Sequence, residues 1–345
     1  MDIVVMKFGG TSVRDQSTRY HVFKHIRREV SSGSKILVVV SAMGRMNDPY
    51  ATDTLKNLVE YHTSKEETDR LLACGEIISS IIMSDLLQRH GLNTVSLAPQ
   101  QLGIKTDDNY NNANITGVDV SHILELFKKY DVLIAPGFVG ITEEGTIATL
   151  GRGGSDTSAI ALGSALNAVY VDIYSDVEGV MTADPKLVKD ARLLKKISYD
   201  NLINLAARGA KVIHLKAIEL AKQNRVNLRL RSTLTDHIGT YVVDETVNTL
   251  SLTYQAGYTR YDLEGVQVPF ESELLTKQGS CWYALSHETE QVDAELKKRS
   301  INYEKTENYV RVSWFNQQRT PVEVTFYVDA LKLEDTLNFL HYNLI

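Results

Sequence analysis

The segment from Gly151 to Asp156, with the sequence GRGGSD, combines residue types that are suited to binding an anion. It lies between an apolar, strand-like stretch and a stretch with helical spacing, Thr157 to Leu166. Glycines let backbone N–H groups approach a charged ligand closely, and the N-terminus of the following helix favours negative charge at the same place. Arg152 adds a planar guanidinium that fits a carboxylate or a phosphate. A tight turn before a helix is the alternative interpretation, because a single glycine motif is weak evidence.

The start of the chain supplies a second glycine loop, together with a lysine. Ile3 to Phe8 is typical of a buried strand, and it leads directly into Gly9 and Gly10. Lys7 lies near the end of this apolar run, where a lysine is costly unless it meets an anion. The pattern GxxxxGK[ST] is absent because the lysine precedes the glycines, so a phosphate site here is not a P-loop. A lysine at the strand end whose ammonium reaches solvent is the alternative.

Both loops belong to a set of segments that resembles the aspartokinases of the amino-acid kinase superfamily. Residues 41–45 (SAMGR) and 48–53 (DPYATD) are similar to the diaminopimelate-sensitive subtype of Gram-positive bacteria. The order and spacing of four signatures match the family over roughly residues 1–245. These signatures are 7–13 (KFGGTSV), 151–156 (GRGGSD), 172–180 (DIYSDVEGV) with 182–185 (TADP), and 209–214 (GAKVIH).

The first 245 residues alternate between short apolar runs and segments with helical spacing. This alternation predicts a mainly parallel sheet covered by helices on both faces. Ligands of such sheets collect at the carboxyl ends of the strands, and Lys7, Gly9, Ser41, Gly151 and Ser175 all fall at or just after a predicted strand end. Residues 140–149 break the pattern and predict a hairpin with its turn at 143–145. Strands are predicted at Ile3–Phe8, Lys35–Ser41, Thr94–Leu97, Val132–Ala135, Ala168–Tyr174 and Asn227–Arg231, and helices at Arg19–Val30, Arg70–Arg89 and Val120–Lys129.

The C-terminal part has a different texture and predicts a second domain. Thr233–Thr249 is polar and weakly periodic, as expected of a connector. The residues after it mix strand-like and helical segments, which predicts a small α+β module with an antiparallel sheet. The resemblance implies ACT modules here, and the tail is too short for two full ones, so we expect one degenerate unit or two trimmed ones. The predicted domains are therefore 1–245, the amino-acid kinase catalytic domain, and 246–345, a shortened ACT-like regulatory or dimerisation domain.

Bulk properties restrict the class of protein. A chain of 345 residues with 43% hydrophobic and 23% charged residues is typical of a soluble globular protein of two domains. The formal net charge of −6 argues against nucleic acid as a partner. Two cysteines give no disulfide framework, and Cys74 is expected to be a small buried packing residue. We identify no signal peptide and no apolar run of membrane-spanning length, so a cytoplasmic protein without a membrane partner is expected.

The resemblance implies a reaction of MgATP with L-aspartate that gives β-aspartyl phosphate and ADP. The nucleophile is a carboxylate with a reference pKa of about 3.9, so it is ionised at neutral pH and needs no general base. The difficulty is electrostatic, because one anion must approach another. Catalysis is therefore expected to come from positioning and charge neutralisation. Both substrates, ATP and L-aspartate, are small molecules, and we expect a homodimer held partly by the C-terminal domain, with weak or absent feedback inhibition.

By the same resemblance, Lys7 spans the transferring phosphoryl group and Asp156 holds Lys7 by an ion pair. An aspartate that favours the helix N-terminus is the alternative for Asp156. Mg²⁺ is expected to arrive on the phosphates with several waters, and no protein ligand is assigned to it. The family often has tyrosine where Met181 stands, so contacts to adenine are expected to differ. Further nucleotide-binding residues implied are Phe8, Gly9, Gly10, Ser41, Ser175, Asp176, Asp184, Lys186, Lys211 and Val212.

The resemblance also implies how aspartate is bound. Arg152, with Gly153, is expected to hold the α-carboxylate, and Glu76 to accept hydrogen bonds from the α-ammonium. Thr52 and Ser155 are expected to fix the side chain. Glu76 opens an apolar stretch, so a residue that only favours a helix dipole is the alternative.

Two other functions compete with this one. Another amino-acid kinase would act on acetylglutamate, glutamate, carbamate or UMP, but such enzymes lack the KFGGTS opening and the ACT-type tail. A non-catalytic protein that binds amino acids for regulation would be favoured by loss of Lys7, Arg152 or Asp156, and all three are present.

Overall fold

The computed structural model separates the chain into two compact units. It describes residues 1–59, 62–210, 212–245, 247, 249–263, 272–316 and 322–345. The first unit comprises Met1–Val180, Leu193–Ala206 and Lys211–Thr246, and the second comprises Met181–Arg192, Ala207–Ala210 and Val247–Ile345. The long C-terminal segment thus begins beside the expected boundary, while two short segments from before residue 245 cluster with it.

Strands and helices alternate along the first 246 residues. The strands are β1 (Ile3–Phe8), β2 (Lys35–Val40), β3 (Thr94–Ser96), β4 (Ile104–Thr106), β5 (Ile115–Val118), β6 (Val132–Pro136), β7 (Val139–Ile141), β8 (Ile147–Thr149), β9 (Tyr170–Ser175), β10 (Lys196–Ser198), β11 (Leu228–Ser232) and β12 (Thr240–Val243). The helices are α1 (Gly10–Val13), α2 (Gln16–Ser31), α3 (Thr52–Lys56), α4 (Lys65–Arg89), α5 (Ser121–Phe127), α6 (Gly154–Ala165), α7 (Tyr199–Ala207) and α8 (Leu215–Gln223), with a 3-10 turn at Pro99–Gln101.

The larger sheet has the order β10-β12-β11-β9-β1-β2-β6-β3 within the described residues. Its central strands are parallel, as predicted from their continuous apolar sequences. Successive side chains of a strand point to opposite faces. Val4, Met6 and Phe8 of β1 pack in a core that includes residues of α2 and α4, and Val5 lies toward Gly163 of α6. Helices therefore cover both faces.

The connector prediction is wrong for residues 240–243. This segment is β12, which pairs antiparallel with β11 and parallel with β10 at the edge of the sheet. A strand of four residues among polar neighbours has too little alternation to be recognised from its sequence. The hairpin prediction is confirmed, because β7 pairs antiparallel with β8 and Gly145 takes the positive φ of 82° that the turn requires.

Helix α4 is longer than predicted and begins with a capping box formed by Ser64 and Glu67. By length and composition it could span a membrane, so the expectation that no apolar run reaches that length is wrong. Half of its apolar window is buried inside the protein, and Met83 and Leu87 belong to the core. We therefore describe α4 as a core helix. Cys74 lies on its exposed face, so the expectation of a buried cysteine is also wrong.

The second unit contains an antiparallel sheet among the described residues, with the strand order β14 (Thr276–Gln278), β15 (Cys281–Leu285), β13 (Leu250–Leu263), β16 (Tyr303–Asn316) and β17 (Val322–Asp329). One helix packs through Val292 and Leu296 in a core with Tyr261, and another packs through Leu337 against Leu252. This is the predicted α+β module with an antiparallel sheet. Its helices are α9 (Thr289–Lys298) and α10 (Leu333–Leu344), with 3-10 turns at Ser286–Glu288 and Ala330–Lys332.

The two outer strands of this sheet meet through the side chain of Gln278. Its Nε2 donates to the backbone oxygen of Thr325 at 2.7 Å, and the backbone nitrogen of Tyr327 donates to its Oε1 at 3.0 Å. The rings of Tyr283 and Tyr327 also stack at 4.0 Å. The sheet therefore curls until β14 lies beside β17.

Candidate active site

The carboxyl ends of β1, β2 and β9 lie side by side. Lys7 of β1 is in register with Val39 of β2 and with Ile173 of β9, and the backbone nitrogen of Ser41 donates to the oxygen of Phe8 at 3.1 Å. Three of the expected strand ends therefore form one edge. Gly151 follows β8, which belongs to the smaller sheet β5-β4-β7-β8, so the glycine loop reaches this edge from a different sheet than expected.

Lys7 and Asp156 form an ion pair at this edge. The distance from Lys7 Nζ to Asp156 Oδ1 is 2.6 Å, and the two side chains are only 11% and 12% exposed. Asp156 lies in the first turn of α6, whose N-cap Gly153 has a φ of 72°. Asp156 thus occupies both of the positions considered for it, the ion pair and the helix N-terminus. The interaction is stronger than at a surface, because little water screens it.

The lack of a side chain has a different consequence at each of the two N-terminal glycines, Gly9 and Gly10. A Cβ atom on Gly9 would lie 3.6 Å from Lys7 Nζ, so a side chain there would occupy the space beside the ammonium. A Cβ atom on Gly10 would lie 2.5 Å from the oxygen of Gly44 and 2.7 Å from that of Ala42. Gly10 therefore permits two loops to touch, and the nitrogen of Gly44 donates to the oxygen of Gly10 at 2.9 Å. Gly9 leaves the position beside the Lys7 ammonium without a side chain.

Glu76 is a buried carboxylate with one unused oxygen. Its exposure is 2%, and the backbone nitrogen of Ala42 donates to its Oε1 at 3.1 Å. Its Oε2 has no hydrogen-bond partner among the described residues. Burial raises the pKa of Glu76 to about 8, since removal from water disfavours the charged form. Because α4 begins at Lys65, Glu76 lies in mid-helix, and the alternative of a residue near the helix N-terminus is wrong.

The other residues expected to bind aspartate lie on two segments of the first unit, the glycine loop with the start of α6 and the start of α3. Arg152 is exposed, and we find no hydrogen bond or ion pair from it to the part of the chain that the structure describes. Gly153 packs on His214, because a Cβ atom there would lie 2.3 Å from His214 Cβ. Ser155 is buried, 8% exposed, beside Asp156. Thr52 is the first residue of α3 and is half-buried.

The residues at the end of β9 and just after it form hydrogen bonds with other segments of the first unit. Arg45 donates to Asp176 Oδ2 at 3.0 Å, in a pair that is largely exposed. The Ser175 oxygen accepts from the backbone nitrogen of Thr233 at 2.9 Å. Val212 is half-buried, while the neighbouring Lys211 lies outside the described residues.

Asp184 and Lys186 belong to the second unit. Asp184 Oδ2 accepts from the Tyr254 hydroxyl at 3.1 Å, and its Oδ1 accepts from the backbone nitrogen of Lys186 at 2.9 Å. The Lys186 side chain is exposed. These two residues therefore do not lie in the unit that contains Lys7, and their approach to a nucleotide stays a prediction.

Two residues near the glycine loop, Phe138 and Asp69, were not identified from the sequence. Phe138 has a φ of 71°, which is an outlier for a bulky residue; its nitrogen donates to Ser158 Oγ at 3.0 Å. Asp69 is fully buried and accepts three hydrogen bonds. Nothing in the sequence around Phe138 indicates a positive φ. Asp69 was detectable only as a carboxylate one heptad before Glu76.

Comparisons with known proteins identify the family of this chain. The profile of the amino acid kinase family matches residues 2–232, and the chain belongs to that family. It is 46% identical to aspartokinase 1 of Bacillus subtilis over 245 residues, which are 70% of this chain and 61% of that protein. It is 45% identical to the aspartokinase of Geobacillus stearothermophilus over 248 residues, 71% of this chain and 60% of that protein. The chain thus spans about three fifths of the length of these relatives.

Solved structures show the same fold. The crystal structure of Escherichia coli aspartokinase III in complex with lysine and aspartate superposes with a TM-score of 0.77 at 21% identity, covering 100% of both chains. The predicted amino-acid kinase fold with a C-terminal, sheet-rich module is therefore confirmed.

Proposed function

We propose that this protein is an aspartokinase, which transfers the γ-phosphoryl group of ATP to the β-carboxylate of L-aspartate. The products are 4-phospho-L-aspartate and ADP, and the reaction is the first step toward lysine and diaminopimelate, threonine and methionine. The observation that carries the proposal is the buried Lys7–Asp156 pair at the carboxyl edge of the sheet, with no side chain on Gly9 to fill the position beside the ammonium. The similarity to proteins named aspartokinases supports aspartate as the acceptor.

On the phosphoryl side, the ammonium of Lys7 neutralises charge between the two anions that must meet. Asp156 fixes that ammonium from one side, so the approach of a phosphate on the other side requires no reorganisation of the lysine. Preorganised charge of this kind is the largest contribution in many enzymes. The residues proposed to complete the nucleotide site are Phe8, Gly9, Gly10, Ser41, Ser175, Asp176, Asp184, Lys186, Lys211 and Val212.

Mg²⁺ is proposed to be bound mainly by the phosphates and by water. Among the described residues, no group of three or more His, Cys, Asp and Glu side chains is placed to hold a metal, and Asp156 is already paired with Lys7. Mg²⁺ on ATP keeps several waters, so no dedicated set of protein ligands is required. When bound, Mg²⁺ would neutralise phosphate charge.

On the acceptor side, Glu76 is proposed to bind the α-ammonium of aspartate. Its buried and unpartnered Oε2 is an acceptor that a cationic donor satisfies. Arg152, with Gly153, binds the α-carboxylate by two parallel hydrogen bonds. Thr52 and Ser155 then orient the β-carboxylate, which is the nucleophile.

Measurement of ADP release with a panel of acceptors tests the proposal. The panel contains L-aspartate, N-acetylglutamate, glutamate, carbamate and UMP, each with MgATP. We expect turnover with aspartate to exceed the rest. Higher turnover with any other member would replace the proposed substrate, and absence of turnover with every member would favour the non-catalytic regulatory protein.

N-Acetylaspartate tests the acceptor site separately. Acetylation removes the positive charge that faces Glu76, and breaking a buried charge pair typically costs about 2–5 kcal/mol, or roughly 30- to several-thousand-fold in affinity. Equal use of aspartate and N-acetylaspartate would remove Glu76 from the site while leaving the reaction class intact.

Assembly and regulation are proposals of the same kind. We expect a cytoplasmic homodimer held partly by residues 246–345, with weak or absent inhibition by lysine, threonine or diaminopimelate. Sedimentation velocity measures the mass of the whole chain in solution. A monomer at micromolar concentration would contradict the proposed dimer. Assays with each amino acid at millimolar concentration read the inhibition. Strong inhibition at saturating aspartate and ATP would show that an effector site exists.

A further inference from the structure

Helix α4 carries two buried carboxylates, Asp69 and Glu76, whose surroundings differ. Their exposures are 0% and 2%, and residues seven apart lie on the same face of a helix, about 10 Å apart along its axis. Glu76 accepts one hydrogen bond, from Ala42. Asp69 accepts three, from the backbone nitrogens of Asn111 at 2.9 Å and Thr149 at 2.8 Å, and from the Thr149 hydroxyl at 2.6 Å.

The groups that Asp69 binds are those on which the glycine loop rests. Thr149 is the last residue of β8, immediately before the loop, and its oxygen accepts from the nitrogen of Ala113 at 2.9 Å. Gly151 lies so close to the 111–112 segment that a Cβ atom there would be 2.6 Å from Asn112 Oδ1. Asp69 therefore holds both backbone segments that flank the start of the loop.

Arg152 depends on this support. It is exposed, and none of the described residues pairs with its guanidinium. Its position therefore follows from the backbone of the loop. Glu76 has its position from the helix itself. The distance between the two groups therefore depends on the connection from α4 through Asp69 to the loop, together with the packing of Gly153 on His214.

We propose that Asp69 is a positioning residue for acceptor recognition: it holds Arg152 at the distance from Glu76 that fits an α-carboxylate beside an α-ammonium. This inference rests on the proposed function, because it assumes that Arg152 and Glu76 bind those two groups. An ionised carboxylate can accept all three hydrogen bonds, whereas the amide of asparagine has one acceptor oxygen. Asp69→Asn therefore turns an amide N–H toward backbone donors and displaces the loop, with little effect on the helix surface.

The test compares aspartate with β-alanine, which keeps the ammonium and the reacting carboxylate but lacks the α-carboxylate. Displacement calorimetry gives the dissociation constant of each ligand, even for a ligand that is not turned over. A displacement of about 1 Å can cost about 10²-fold. We expect Asp69→Asn to weaken aspartate by about that factor and β-alanine by less than about threefold, so that the preference for aspartate is largely lost. The KM for ATP should change by less than about twofold.

Three further variants make the result interpretable. Asp85→Asn makes the same change on the exposed side of the same helix, where Asp85 pairs with Arg89, and should leave the preference unchanged. Thr149→Val removes only the hydroxyl that donates to Asp69, so it should reduce the preference less, and it decides the question if Asp69→Asn does not fold. Arg152→Ala is the reference for complete loss of the preference.

The outcomes separate the inference from the proposed function. An unchanged preference in folded Asp69→Asn, or in Thr149→Val if Asp69→Asn does not fold, overturns the role of Asp69 when Arg152→Ala has lost the preference. An unchanged preference in Arg152→Ala overturns the assignment of Arg152, and the inference with it. Equal weakening of both ligands in Asp69→Asn would show a general structural role and would also overturn the inference.

Discussion

Two buried ion pairs lie on neighbouring strands of the large sheet, and they are built differently. Lys7 of β1 meets a single carboxylate, Asp156, at 2.6 Å, at the end of its strand. Asp172 of β9 is fully buried and meets two guanidiniums of β11, Arg229 at 2.5 Å and Arg231 at 2.9 Å.

The difference is the completeness of the surroundings. Both oxygens of Asp172 accept hydrogen bonds, and its two arginines also lie over the rings of Tyr170 and Tyr174. The Lys7 ammonium instead has the backbone of Gly9 on one side, without a side chain. A buried carboxylate with both oxygens bound has no room for a further ligand, and removing its charge is costly. A buried charge with space beside it is prepared for a ligand.

The largest effect is expected from Asp172→Asn. Loss of this charge leaves two buried arginines with only Glu29 near them among the described carboxylates, at 4.0 Å from Arg229 and 3.7 Å from Arg231, and breaking a buried pair costs about 3–5 kcal/mol. Urea unfolding should show a loss of that size. The control Asp236→Asn removes the partner of Arg28 from an exposed pair, which is worth about 0–1 kcal/mol. Similar unfolding free energies for the two variants would show that the buried pair of Asp172 contributes no more to stability than the exposed pair of Asp236.

Lys7→Ala should lower turnover by ~10²–10³, because it removes preorganised charge from the transferring phosphoryl group. Stability should fall less than in Asp172→Asn, since Asp156 keeps some contact with water. The control Lys35→Ala changes a lysine at the other end of the neighbouring strand, paired with Asp131, and should retain turnover. Near-normal turnover by folded Lys7→Ala would exclude Lys7 from the mechanism.

Glu76→Gln should weaken aspartate roughly ten- to a hundredfold, because a hydrogen bond to a charged group is worth about 1.5–3 kcal/mol. The pH dependence gives a second measurement. Burial raises the pKa of Glu76 from its ordinary 4.5 to about 8, so the carboxyl group is neutral in the free enzyme below that pH. The kcat/KM for aspartate should rise with pH up to about 8, and this rise should be absent in Glu76→Gln. An identical profile in both proteins would exclude Glu76.

The same shift predicts the sign of a stability effect. Because the folded-state pKa of Glu76 is above the unfolded value, the stability that its neutral form contributes is fully present below about pH 4.5 and is lost as the pH rises through about 8. Unfolding free energies of the ligand-free protein should fall over this window relative to Glu76→Gln. A parallel pH dependence of the two proteins would contradict the raised pKa.

The smallest effect is expected at Asp184. Both of its carboxylate oxygens accept hydrogen bonds, so its surroundings resemble those of Asp172 more than those of Lys7. Tyr254→Phe removes one neutral donor, worth about 0.5–1.5 kcal/mol, and should raise the KM for ATP by about two- to tenfold if this segment contacts the nucleotide. Tyr258→Phe is the matched control on the same strand, because its hydroxyl donates to Gln255. Equal KM values for ATP in the two variants would show that Asp184 does not contribute to nucleotide binding.

Sequence reasoning was successful where the information is local. The strand Ile3–Phe8 was predicted with the observed bounds, because its apolar residues are continuous. The edge strands Lys196–Ser198 and Thr240–Val243 were missed, because short strands with polar neighbours have no clear period. Ser64 and Glu67 form a readable helix start, and this signal would have placed Glu76 in mid-helix.

The site was predictable as a set of strand ends and loops, and its internal contacts were not. The glycines and Lys7 have recognisable types and spacing. The partner of Glu76 is a backbone nitrogen at Ala42, and Asp69 bonds to Thr149 from 80 positions away. Backbone donors at such separations leave no pattern in one sequence, because any residue can supply them.

The side-chain amide of Gln278 has a consequence for association between copies of this chain. An exposed edge strand is a template for adding another strand, through its outward-facing N–H and C=O groups. At the middle of β17 two of these groups, on Thr325 and Tyr327, are already bound by Gln278. A strand from another chain could extend the sheet here only after displacing that amide. The Gln278 side chain therefore opposes the addition of further strands, and so aggregation, at this edge of the sheet.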